Sequence, residues 1–293
     1  MLDSKICCLC GRKGQNVYAV DGDRQIVKCH CGMCFVYLEY SPEELYSIYG
    51  THYFESKDPK IGYANYLSLS PILYSIAEMH LDIIEKLSEK GNLLDVGCAT
   101  GEFLEVAKKR GWTSYGIEIS EYGSNICKQK GLNVSRGILG KTDLPENYFD
   151  VITAVDVLEH TPDPYTELLI VNRFLKEGGL MCLSLPNFGS LRAMIERKDW
   201  WAFYSSREHL YFFTPKTITA LLKKAGFTVI YLRTASIDIT LYFLLNFIKK
   251  IIINKATHDT PNISYFPSKN ILKRALEIMK LGHVLLVIGR KQA

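Results

Sequence analysis

The segment from residue 92 to residue 118 constrains the fold more than any other. Leu93-Leu94-Asp95-Val96 is a short apolar run that ends in the small-residue turn Gly97-Cys98-Ala99-Thr100-Gly101. Glu102 to Arg110 follows with Phe103, Leu104, Val106 and Ala107 apolar, which predicts a helix. A second strand, Ser114-Tyr115-Gly116-Ile117-Glu118, ends on an acidic residue seventeen positions after Gly101. Strand, glycine turn, helix and strand in this order predict the first βαβ unit of a nucleotide fold. Glycine lets the backbone approach a ligand, the helix N-terminus faces it, and a carboxylate after the second strand can accept both ribose hydroxyls. A dinucleotide is disfavoured, because its fingerprint spaces three glycines as G-x-G-x-x-G. Here Gly97 and Gly101 have three residues between them, and Asp95 takes a strand position that is normally apolar.

Of the 293 residues, 47% are apolar and 23% charged, which excludes a disordered chain. The net charge of +4 is scattered with no basic stripe, so no nucleic-acid partner is expected. The N-terminus shows no basic segment followed by a long apolar run, and a cytoplasmic location is expected. The most apolar stretch, 241–253, is broken by Asn246, Lys249 and Lys250. It falls short of the roughly 20 apolar residues of a membrane span. Its polar residues share one helical stripe, so it reads as amphipathic. Core burial, a lid, a homodimer surface and a dock at the membrane surface are the uses open to it.

Six of the nine cysteines fall within the first 34 residues, while Cys98, Cys127 and Cys182 are isolated. That distribution fits a metal knuckle in a cytosolic protein better than a disulfide scaffold. Cys7-x-x-Cys10-Gly11 and Cys29-His30-Cys31-Gly32-Met33-Cys34 flank a strand-like hairpin, Val17 to Val20 and Ile26 to Lys28, which predicts a zinc ribbon. Cys31-x-x-Cys34 has the standard spacing, making Cys7, Cys10, Cys31 and Cys34 the expected zinc ligands. Cys29-x-Cys31-Gly32 competes with it, because its glycine follows the second cysteine as Gly11 follows Cys10. Four thiolates leave no open position, so the zinc is expected to be structural.

Asp95-x-Gly97-x-x-x-Gly101 resembles the first motif of the class I S-adenosylmethionine-dependent methyltransferases. The resemblance continues for most of the chain. Asn147-Tyr148-Phe149-Asp150-Val151-Ile152-Thr153-Ala154 looks like the family's fourth strand, and Val157-Leu158-Glu159-His160 after it is similar to the quinone-pathway and sugar-modifying branches. Leu175-Lys176-Glu177-Gly178-Gly179 matches the turn before the fifth strand, Met181 to Leu185. Leu221 to Phe227 matches the late helix that ends in G-F before the sixth strand, and His283 to Arg290 the antiparallel seventh. A zinc ribbon ahead of such a core further resembles methyltransferases of deoxysugar and cell-surface polysaccharide pathways.

The resemblance implies roles for particular residues. Gly97, Cys98, Ala99 and Gly101 would line the methionine part of S-adenosylmethionine, and Asp95 would hold that loop and the ammonium. Glu118 would bind the ribose, Ile119 would pack on adenine, and Ile138 would sit at the adenine edge. Asp156 would lie near the sulfonium. His209, in the aromatic segment from Trp200 to Thr214, is the first candidate for the base that deprotonates the acceptor, and His160 the second. Glu159 with His160 could instead hold a divalent ion, as in some quinone-pathway relatives. The aromatic connection around Tyr49, Tyr53 and Tyr63 to Tyr66 either packs the ribbon on the core or covers the cofactor.

The expected architecture is therefore α/β: a doubly wound, seven-stranded Rossmann-like sheet of order 3-2-1-4-5-7-6 with a small N-terminal zinc ribbon. The ribbon would span 1–40, an aromatic connection 41–90 and the S-adenosylmethionine-binding domain 91–293, with acceptor-covering insertions near 187–214 and 237–282. The expected function is methyl transfer to a small or carrier-linked acceptor, foremost a sugar hydroxyl or carbon. A quinone-type aromatic precursor is the alternative acceptor. A cofactor-binding module whose ribbon recruits a partner is the alternative of another class. A DNA amino-methyltransferase is disfavoured, because Asp163-Pro164-Tyr165 lacks the second proline of that group's turn.

Overall fold

The computed structural model describes residues 6–14, 16–21, 24–37, 47–56, 62–204, 208–235 and 282–292. The chain opens with β1 (Asn16–Asp21), β2 (Arg24–Lys28) and β3 (Cys34–Val36), followed by α1 (Thr51–Phe54) and α2 (Ser70–Ile84). The central unit then runs β4 (Asn92–Val96), α3 (Glu102–Lys109), β5 (Thr113–Glu118), α4 (Glu121–Gln129), β6 (Val134–Arg136), β7 (Phe149–Val155), α5 (Pro164–Phe174) and β8 (Leu175–Pro186). After β8 come α6 (Leu191–Glu196), α7 (Trp201–Tyr204), β9 (Tyr211–Phe212), α8 (Pro215–Lys224), β10 (Phe227–Ala235) and β11 (Val284–Lys291).

Seven strands form one sheet in the order β10-β11-β8-β7-β4-β5-β6. Counted along the chain and read from the β6 edge, this is the expected 3-2-1-4-5-7-6. The strands from β4 to β8 pair in parallel, and β11 enters antiparallel between β8 and β10. Strands covered on both faces read as continuous apolar runs rather than alternating ones. Leu93, Leu94, Val151, Ile152, Leu183, Leu185, Val287 and Ile288 are all fully buried accordingly. Charge supports α3 where it stands, with Glu102 and Glu105 in its first turn and Lys108 and Lys109 in its last, each sign complementing the helix dipole.

The N-terminal strands do not stand apart. β1, β2, β3 and β9 make a second sheet, in which Cys34 pairs with Phe212 and Phe35 with Tyr211. Ile26, Met33, Phe35 and Val36 share one continuous core with Trp200, Phe203, Phe212 and Phe213. The segment after β8, expected to cover the acceptor, thus completes the ribbon's sheet across the boundary expected near residue 40. The amphipathic stretch 241–253 and nearly all of the insertion expected near 237–282 lie outside the described residues. Among the described residues no helix is long and apolar enough to cross a membrane.

Candidate functional site

The strand order reverses at β4, whose neighbours are β5 on one side and β7 on the other. Loops after these strands part there, which is where open α/β sheets place their ligands. A cavity of about 240 Å³ occupies this position. Its wall includes Asp95, Gly97, Cys98, Ala99, Glu118, Ile119, Ile138, Asp156 and His160 from the residues expected to form the site.

The turn after β4 is built for close approach. Gly97 and Gly101 have φ of 69° and 89°, the left-handed region that glycine enters without strain. A Cβ on Gly97 would lie 2.6 Å from Val157 Cγ2, and one on Gly101 would lie 2.5 Å from Leu132 Cδ1. Gly97 belongs to the cavity wall, whereas Gly101 sits behind it as the cap of α3. Ala99 has φ of 47° and Asp156 has φ of 52°. Non-glycine residues held in this region are costly and tend to mark ligand clamps.

Glu118 ties the turn to β5. Its carboxylate accepts the backbone N–H of Ala99 at 2.8 Å and that of Ser120 at 2.7 Å. The residue is buried, and loss of water pushes its pKa up despite those two donors. Asp95 is buried beneath the turn and accepts a hydrogen bond from Thr153 Oγ1 at 2.6 Å. Burial pushes its carboxyl up to about 7.

On the far side of β4, the turn after β7 brings together Glu159, His160 and, from the aromatic segment, His209. One ligand-type atom from each lies within 4.8 Å of the others. Both carboxylate oxygens of Glu159 are buried without a hydrogen-bond partner. Desolvation, reinforced by Asp156, holds its carboxyl well above the usual range. His209 Nδ1 lies 3.1 Å from the Ala202 carbonyl, and since a carbonyl only accepts, the proton sits on Nδ1 and Nε2 keeps its lone pair. Burial lowers the His209 pKa to about 4 and takes that of His160 well below the usual value.

The two candidate histidines stand at different depths. His160 lines the cavity, while His209 stands behind it with ring centroids 4.8 Å apart and is 7% exposed. His209 lies in the chain between α7 and β9, the strand that pairs with β3. Two contacts define what these residues add, one from the expected aromatic connection and one from Arg24, which the sequence did not single out. The Tyr49 hydroxyl lies 2.9 Å from His160 Nδ1, and Tyr49, Tyr53, Phe54, Tyr63 and Tyr66 line the cavity. The aromatic connection therefore covers the site. Arg24, fully buried, donates to the Phe203 and His209 carbonyls at 3.3 and 2.7 Å.

The cysteine knuckles form a second constellation. Cys7, Cys10, Cys29 and Cys31 bring their sulfurs within 4.8 Å of one another, with Cys7 to Cys31 at 3.6 Å and Cys10 to Cys29 at 3.4 Å. A tetrahedron with 2.3 Å zinc–sulfur arms has an edge of roughly 3.8 Å, so this donor set fits a zinc ion. The two turns repeat one plan: Gly11 N–H donates to the Cys7 carbonyl and Gly32 N–H to that of Cys29, and both glycines have positive φ. Cys34, expected as the fourth ligand, lies on β3 outside this group, and Cys29, its competitor, lies within it. Continuing the chain into a strand paired on both sides turns residue 34 away from the knuckle.

A glycine turn, an acid at the end of the next strand and a cavity at the reversal of strand order define a nucleotide-binding α/β enzyme of the Rossmann-like class. The family described as "Methyltransferase domain" matches residues 69–232, more than half of the chain. The chain belongs to this family. It is 27% identical over 154 residues to a ubiquinone biosynthesis O-methyltransferase of Methylococcus capsulatus, covering 50% of this chain and 62% of that protein. The corresponding protein of Pseudomonas syringae pv. tomato is 33% identical over 113 residues, 34% of this chain and 49% of its own length. The chain thus spans about half to three fifths of these relatives. Among solved structures, a SAM-dependent methyltransferase from Archaeoglobus fulgidus superposes with a TM-score of 0.52 at 21% identity, over 81% of this chain and 98% of that one. A methyltransferase of Thermotoga maritima described as a possible histamine N-methyltransferase gives 0.52 at 19% identity, over 78% and 94%. At these identities the two structures speak to the fold alone.

Proposed function

We propose that the chain transfers the methyl group of S-adenosylmethionine to a hydroxyl of a small aromatic, quinone-type acceptor. The observation that carries this reading is a single cavity with Glu118 on one side of the β4 turn and His160 on the other, roofed by tyrosines. The relatives are named O-methyltransferases of ubiquinone biosynthesis, which favours an aromatic acceptor over the sugar foremost in the sequence reading. A wall of Tyr49, Tyr53, Phe54, Tyr63 and Tyr66 also offers flat apolar faces to a planar ring.

When bound, the sulfonium supplies an activated methyl with a neutral leaving group. The protein's share is alignment and removal of the acceptor's proton. Glu118 binds the ribose and holds the Ala99 amide, and Gly97 lets the methionine part lie against backbone. His160, neutral at physiological pH because it is buried, takes the acceptor proton directly or through the Tyr49 hydroxyl. The ring of His209 packs edge-on behind that of His160, and the Tyr49 hydroxyl holds His160 Nδ1.

A second reading of the acceptor half rests on the orphaned oxygens of Glu159. One carboxylate and two imidazoles make a donor set for a divalent transition metal with open positions. An ion held by Glu159, His160 and His209 would lower the pKa of an acceptor hydroxyl. Loss of turnover on dialysis against a chelator that leaves the zinc of the cysteine cluster in place, restored by manganese, would distinguish it from base catalysis by His160 alone.

The acceptor class is tested with methyl-labelled S-adenosylmethionine and two pools, alkyl-substituted dihydroxybenzenes and nucleotide sugars. Label should enter the phenols as a methyl ether. Label in the sugars instead would overturn the aromatic reading.

Asp95 makes cofactor binding depend on pH. Its carboxyl titrates at about 7 in the free protein, and a cationic ammonium beside it favours the charged form. S-adenosylmethionine binding should therefore release a proton below pH 7, and affinity should rise with pH until Asp95 is ionised. Calorimetry in buffers of different ionisation enthalpy reads the released proton. A proton count of zero at pH 6 would contradict the assignment.

A further inference from the structure

We infer that Arg24, a residue of the N-terminal ribbon, is a positioning residue for the acceptor half of the site; this rests on reading Glu159, His160 and His209 as that half. Arg24 is fully buried on β2, 185 residues away in sequence from His209. A buried guanidinium is expensive to desolvate and persists where its donors meet acceptors with good geometry. Its Nη2 donates to the His209 carbonyl at 2.7 Å and its Nη1 to the Phe203 carbonyl at 3.3 Å. One rigid fork thus ties the backbone of Phe203 to that of His209.

The consequence reaches the imidazoles. Phe203 adjoins Ala202, whose carbonyl fixes the proton on His209 Nδ1, and the His209 ring packs edge-on against that of His160. A second strand of contacts runs in parallel. Val36 N–H donates to the Leu210 carbonyl and Leu210 N–H to the Glu159 carbonyl, both at 2.8 Å. The ribbon thereby grips the backbone of His209 from β2 and that of Glu159 through β3. None of these bonds touches Glu118 or the glycine turn, whose hydrogen bonds come from β5 and α4. The ribbon sets the acceptor half and leaves the cofactor half alone.

The test compares wild type with R24M and R24Q at one pH. Long-range ¹H–¹⁵N NMR of the histidine rings, assigned with H209A, reads which ring nitrogen of His209 carries the proton. Calorimetric titration with S-adenosylhomocysteine reads the cofactor half. The wild type should show His209 protonated on Nδ1. R24M should shift that signal toward the exchange-averaged pattern of an unrestrained ring and leave S-adenosylhomocysteine affinity unchanged. An unmoved His209 signal in an R24M that binds S-adenosylhomocysteine would overturn the inference. Should R24M give no heat, R24Q decides: a shifted ring with binding intact supports the clamp, and an unmoved ring or a loss of binding overturns it. A wild type that binds no S-adenosylhomocysteine would fail the methyl-transfer reading itself, a result separate from either outcome for Arg24.

Discussion

Turnover should fall about 10²–10⁴-fold when His160 is replaced by alanine, the range general-base removal produces. S-adenosylhomocysteine affinity should stay near that of the wild type. The separation follows from the sheet. Glu118 and the glycine turn lie on the β5 side of β4 and His160 on the β7 side, so the variant empties one half of the cavity without touching the hydrogen bonds of the other. Alanine at 209 should cost less, because His209 stands behind His160 and does not line the cavity. The pH profile gives an independent reading. Burial lowers the His160 pKa, so the neutral, proton-accepting form persists as pH falls through the ordinary histidine range. Activity limited by this base should survive well below pH 6.5, the usual histidine value. H160A turning over like the wild type would remove the residue from the mechanism.

Serine at position 29 should strip zinc from the ribbon, whereas serine at position 34 should leave one zinc per chain. Structural zinc supplies on the order of 10 kcal/mol to its fold, so loss of one thiolate of four weakens the whole ribbon. The effect should spread beyond the knuckle, because β3 pairs with β9 and shares its core with Trp200 and Phe203. C29S should therefore melt lower and with a broader transition. C34S places a hydroxyl in a fully buried position and should cost about 1–3 kcal/mol without loss of metal. Elemental analysis of the purified variants beside calorimetric melting reads both quantities. A metal-free C34S with a loaded C29S would restore the ligand set of standard spacing.

The parts of the molecule legible in the sequence were those with local signals. Asp95, Gly97, Gly101 and Glu118 belong to one βαβ unit whose chemistry lies within 24 residues, and the strand order followed from motifs along the chain. Where the reading diverged, the deciding contact was distant in sequence. Cys29 and Cys34 both had a plausible spacing, and pairing of β3 with β9, about 175 residues later, placed Cys34 in the core. His209 stood out as a histidine among aromatics, but which histidine reaches the cavity depends on how that segment joins the ribbon. Tyr49 was legible only as part of an aromatic run, and Arg24 carried no pattern at all. A tyrosine in an aromatic run and an arginine in a strand become informative only when Tyr49 meets His160 and Arg24 meets the His209 carbonyl.

The central claim is that Glu118 and the turn it holds bind an adenosyl ligand. Calorimetric titration of the full chain with S-adenosylhomocysteine, wild type beside E118A, tests it most directly. Glu118 makes two charge-assisted hydrogen bonds within the site and is assigned two more to the ribose, each contributing about 1.5–3 kcal/mol. The wild type should bind one equivalent, and E118A should bind about a hundredfold or more weakly while remaining folded. A folded wild type that gives no saturable heat, or an E118A that binds as tightly as the wild type, would contradict the account.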